Sequence, residues 1–119
     1  PDGRQWNYLA SEDDFTFLKD MQARDAIIPV VGDVSGPRAL KSIAASIARR
    51  RERVSAFYIS NVEIYLDQKM VMGQFFDNLS RLPRATESVM IRSTFDGGSS
   101  TSMLKPIDQV LTEASRNRR

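Results

Sequence analysis

The sequence contains no cysteine and no histidine. The first absence excludes disulfides and thiolate metal sites, and the second removes the commonest metal ligand and neutral-pH general base. Zinc chemistry and Ser-His or Cys-His catalysis are therefore excluded within this chain, and no metal is expected. Long apolar runs are missing too: none approaches the roughly 20 residues that span a bilayer, and no signal peptide opens the chain. A cytoplasmic protein without membrane contact is the expectation. An excess of one sign of charge is missing as well. Lys and Arg number 17 against 15 Asp and Glu, a net +2, which is too small to imply nucleic acid. The basic surplus gathers in Arg49-Arg50-Arg51-Glu52-Arg53 and in Arg116, Arg118 and Arg119. The first run reads as an anion patch or as the last turn of a helix, where cations complement the dipole. No aromatic or glycine pattern of a nucleic-acid module interleaves it, so the helix-end reading is preferred.

With 119 residues the chain has the length of one domain, near the small end for a free-standing doubly wound sheet. Pro1 and the polar stretch to Tyr8 read as a loop entered in mid-course, as in a fragment or a processed chain. Ser11 before Glu12, Asp13 and Asp14 is a helix start: the hydroxyl caps early amides, and the acids suit the positive end of the dipole. That helix should reach about Arg24, with Phe15, Leu18 and Met21 on one face. Ala26 to Val31 is short and β-branched, which predicts a buried parallel strand, with Pro29 forcing it to an edge or bulge. Gly32 to Pro37 is a turn, with Pro37 at a first helical position and Ser35 or Gly36 as cap. Leu40, Ile43, Ala44 and Ile47 then stripe a second helix.

Val54 to Ile59 is the second strand, so strand, helix and strand imply a right-handed parallel βαβ unit. Two short helices follow, broken near Asp67 to Gly73 and stopped by Pro83. Ser88 to Ser93 reads as a third strand, Asp96 to Ser102 as a flexible glycine-rich loop, and Leu104 to Ser115 as a final amphipathic helix.

The first two predicted strands end in small polar residues, Gly32-Asp33 and Ser60-Asn61. Open α/β sheets bind ligands beyond the carboxyl ends of their strands, which makes this edge the candidate site. Gly32 permits close backbone approach, and the Asp33 carboxylate accepts hydrogen bonds from ligand amino or hydroxyl groups. Ser60 and Asn61 offer neutral donors and acceptors, and Glu63 offers a base or a ligand for an amine. Each has a plainer use in turns and helix caps. Ser35-Gly36-Pro37 lacks the repeated glycines and lysine of a P-loop.

The stretch from Tyr8-Leu9-Ala10-Ser11-Glu12 through Ile28 to Asp33, on through Phe57 to Leu66 and Ile91-Arg92-Ser93, to Met103 through Asp108, resembles an uncharacterised family of bacterial proteins. These are similar to Rossmann-type, class I methyltransferase-like proteins about three times as long. The resemblance covers nearly the whole chain. It implies a three-layer Rossmann-like half-domain with a mainly parallel sheet of at least three strands flanked by helices, the C-terminal part of a larger domain. It further implies S-adenosylmethionine or a related nucleotide as ligand, with Gly32 and Asp33 toward the base, Ser60 and Asn61 lining the cofactor, and Asn61 and Glu63 facing the substrate. The glycine-rich first loop of such folds would lie upstream of Pro1, and Ser60-Asn61-Val62-Glu63 departs from the Asn-Pro-Pro-Tyr pattern of amino-methylating enzymes. The expectation is thus a small-molecule or nucleotide-binding domain, inactive alone and completed by a missing N-terminal half. The alternative is a non-enzymatic interaction or regulatory module that keeps the fold without cofactor and self-associates through an open sheet edge.

Overall fold

Helix α1 (Glu12–Ala23) starts where its cap dictates: the Ser11 hydroxyl accepts from the Asp14 amide at 3.0 Å, and three acids fill the first turn. The computed structural model describes residues 9–118. It divides the chain into two units, Pro1–Val31 and Gly32–Arg119. In the first, α1 buries none of its residues, and Asp25 in the left-handed region (φ 56°) ends it. The expected strand at Ala26 to Val31 is not formed. These residues are exposed and irregular, Val31 completely so. A strand exists only within a ladder, and Pro29 lacks the N–H that a ladder needs.

In the second unit, α2 (Ala39–Arg49) begins two residues after Pro37 rather than at it. Ser35 does not cap it, because its amide and hydroxyl are both held by the Asp33 carboxylate, at 2.8 and 2.7 Å. Gly32 is needed just before this helix: a Cβ there would stand 2.5 Å from that of Ala39. At the other end Arg49 occupies the last turn and Arg51 (φ 56°) turns the chain away, consistent with the helix-end reading of the arginine run.

Strand β1 (Val54–Ile59) pairs in parallel with β2 (Arg84–Asp96) through a crossover made of α3 (Val62–Gln68) and α4 (Met72–Leu79). Strand β3 (Ser99–Pro106) pairs antiparallel with β2, and α5 (Ile107–Asn117) follows it. The chain is therefore a mixed α/β protein with a three-stranded sheet in the order β1-β2-β3. The sheet is not mainly parallel as expected, and β2 rather than Ala26 to Val31 is the parallel neighbour of β1. The reason lies at Gly97 and Gly98. Both take positive φ (54° and 90°) between the paired residues Asp96 and Ser99, which makes a two-residue hairpin turn where the composition suggested a flexible loop. The hairpin also draws Leu104 into β3, so the last helix starts only after Pro106.

The core of this unit lies on one face of the sheet. Phe57, Ile59 and Met90 meet Leu40 and Ala44 of α2, Leu66 of α3, Phe75 and Leu79 of α4, and Ile107 and Val110 of α5 in one apolar cluster. The rings of Phe57 and Phe75 lie 6.0 Å apart and tilted, the arrangement their quadrupoles favour. A bulge between Val54 and Ala56 is stitched by the buried Ser88, whose hydroxyl accepts from the Ala85 amide (2.9 Å) and donates to the Val54 carbonyl (2.6 Å). Ala56, Tyr58, Val89, Ile91, Leu104 and Pro106 are neighbours in register on the opposite face and stand outside the core cluster. Among the described residues no helix is long and apolar enough to cross a membrane.

Candidate functional site

The parallel pair fixes where its carboxyl end lies. Ile59, the last residue of β1, stands opposite Arg92 of β2, and α3 departs two residues later. Arg92 shares the face of Ile59, so its side chain runs under the helices rather than into solvent. There it forms a two-pronged ion pair with Glu63 in the first turn of α3: Nε donates to Oε2 at 3.0 Å and Nη2 to Oε1 at 2.6 Å. Planar guanidinium and carboxylate match each other in this way. The pair ties α3 to the centre of the sheet. Nη1 of Arg92 has no hydrogen-bond acceptor among the described residues.

Beside Arg92 opens a cleft of about 470 Å³, between α3, the start of α4 and the second half of α5. Its wall is apolar at Met72, Phe76 and Val110 and polar at Asp67, Arg92, Glu113, Asn117 and Arg118. Most of its charges already have counter-ions. Glu113 accepts from Lys105 at 2.5 Å and from Gln109 at 3.0 Å, and those two hydrogen bonds hold its carboxyl below the ordinary range. Arg118 donates to Asp77 and to the Gly73 carbonyl, each at 3.0 Å. The volume falls within the range of small-molecule sites, and the mix of apolar wall with a few polar groups is their usual lining.

The residues singled out in the sequence divide into separate places. Glu63 reaches the cleft through Arg92. Ser60 and Asn61 lie at the same strand end but not in the cleft wall: the Ser60 hydroxyl donates to Asn61 Oδ1 (3.2 Å) and stands 3.4 Å from that of Ser93. Asp33 is occupied within its own turn, where the Ser35 hydroxyl and amide hold its carboxyl below the ordinary value near 3.8. That turn is anchored elsewhere, by the buried Asn78 of α4, whose Nδ2 donates to the carbonyls of Val34 (3.0 Å) and Gly36 (2.8 Å). Gly32 serves the packing on Ala39 described above.

Arg92, Asp67, Glu113 and Arg118 were not singled out by sequence reasoning as site residues. One signal was present in the chain, a lone arginine directly after the apolar run Val89-Met90-Ile91 and placed by alternation on the buried side with Met90. Among the described residues no group of side chains is suited to hold a metal ion. A family model described as a domain of unknown function (DUF7790) matches residues 2–113. No curated protein matches the chain in a sequence search.

Proposed function

We propose that this chain, which belongs to the DUF7790 family, is a small-molecule-binding domain whose ligand sits in the cleft beside Arg92. The observation that carries this reading is position: the cleft adjoins the carboxyl end of the parallel β1–β2 pair, the place where α/β sheets take ligands. The resemblance to methyltransferase-like proteins makes S-adenosylmethionine or a related nucleotide the first ligand to titrate. The binding groups on this reading are Arg92 Nη1, the side chains of Asp67 and Asn117, and the apolar wall at Phe76 and Val110. Glu63 acts through Arg92 as a positioning residue.

The test is calorimetric titration of S-adenosylmethionine and S-adenosylhomocysteine into the chain and into an Ala114→Phe variant, which fills the cleft from α5. Saturable binding by the first and none by the second is the expected result. Equal binding by both, or binding by neither, overturns the assignment of the cleft.

A second reading, an interaction module without cofactor, is favoured by the outer face of the sheet. Ala56, Tyr58, Val89, Ile91, Leu104 and Pro106 bring no charge to it, and Tyr58 and Leu104 are 65% and 69% exposed. Its fitting occupant is a second copy of the chain, because an uncharged face meets its own image without repulsion and sheets stack about 10 Å apart. Sedimentation then gives a dimer for the wild type and a monomer for Tyr58→Lys with Leu104→Lys. A wild-type monomer at high concentration removes this reading.

A further inference from the structure

The cleft's charges leave one remainder. Arg92 is offset by Glu63, Arg118 by Asp77, and Glu113 by Lys105. Asp67, in the last turn of α3, lines the same cleft, and its carboxylate has neither an ion-pair partner nor a hydrogen-bond donor among the described residues. An anionic ligand is therefore poorly served. The arginine that would attract it is already neutralised, and the uncompensated charge on the wall is negative. A ligand carrying a positive group meets the opposite situation, with Asp67 for the cation, Arg92 Nη1 for a carbonyl, carboxylate or ring-nitrogen acceptor, and Phe76, Val110 and Met72 for an apolar body.

We propose that Asp67 is the cation-binding residue of the cleft, and that the ligand class is a small compound with a positive group set on an apolar body and a hydrogen-bond acceptor beside it. The inference rests on the cleft being the ligand site and adds which charge that site selects. Asp67 is exposed, so its attraction is moderate and weakens with salt.

The probes are S-adenosylmethionine, whose sulfonium is a cation set in the body of the molecule, and S-adenosylhomocysteine, which lacks that charge; both keep the amino-acid ammonium, so their difference reads the sulfonium alone. The wild-type chain should bind the sulfonium compound about threefold to fivefold more tightly at low salt, the size of one partly screened charge contact. Asp67→Asn should bind both alike, and Asp67→Glu should keep the preference. Equal affinity of the wild type for the two probes, or a preference that survives in Asp67→Asn, overturns the role of Asp67 while leaving the cleft as the site. Binding of neither probe overturns the site itself, and Asp67 with it.

Discussion

Three polar side chains show how much depends on single residues. Ser88 is 3% exposed and uses its hydroxyl in both directions at the register shift between β1 and β2. Removing it strands a partly buried amide and a partly buried carbonyl, so Ser88→Ala should cost about 1–3 kcal/mol, read as a lower denaturant midpoint at unchanged slope. Asn78 performs a similar task for the turn at Val34 to Gly36, and Asn78→Ala should release that turn to fast amide exchange while α4 stays protected. Asp33 supplies a pH signature. Its carboxyl is lowered from about 3.8, chiefly by the Ser35 hydroxyl and then by the Ser35 amide. A lowered carboxyl favours the folded turn above the ordinary value, and that contribution disappears as pH falls through the lowered one. Carboxyl NMR titration should therefore place Asp33 below 3.8, with Ser35→Ala moving it upward. A midpoint indifferent to Ser35 would mean that the turn does not hold the charge.

At the scale of elements, the sequence was legible wherever a local device sets the structure. Ser11 and its acids place α1, the stripe of Leu40, Ile43, Ala44 and Ile47 places α2, and the break between α3 and α4 falls inside Asp67 to Gly73 as expected. It was illegible where partners decide. Ala26 to Val31 has the apolar, β-branched composition of a strand yet forms none, since Pro29 spoils the ladder and β1 takes β2 instead. Ser99 to Ser102 have little strand propensity, but the two-glycine turn sets them opposite Asp96, Phe95, Thr94 and Ser93. For the candidate site, the strand end at Ser60 to Glu63 was readable, whereas the cleft was not. Its walls come from three helices whose packing no local pattern records. The end of α2 offers a direct check. Arg51 holds a left-handed conformation that glycine adopts without a Cβ penalty, so Arg51→Gly should raise stability by about 1 kcal/mol, measured by thermal unfolding. A loss would show that the arginine side chain contributes more than its backbone strain costs.

Across the whole of the Gly32–Arg119 unit, stability depends on one apolar cluster under one face of the sheet. Phe75 is fully buried at its centre, against Phe57 and Phe76. Phe75→Ala should cost about 3–5 kcal/mol, a large part of the roughly 5–15 kcal/mol that holds a domain folded. Loss of a cooperative thermal transition at moderate temperature would be the readout. A variant that melts like the wild type would mean that the cluster is not the unit's principal support. The arrangement of the sheet also sets an order in time. Strands β2 and β3 meet across two glycines and can zip together locally within microseconds, while β1 must wait for the entire α3–α4 segment to close before it finds its parallel neighbour. The hairpin should thus form first, and β1 should dock onto it later. Substitutions at Gly97 or Gly98 should slow folding, and those in β1 should mainly speed unfolding.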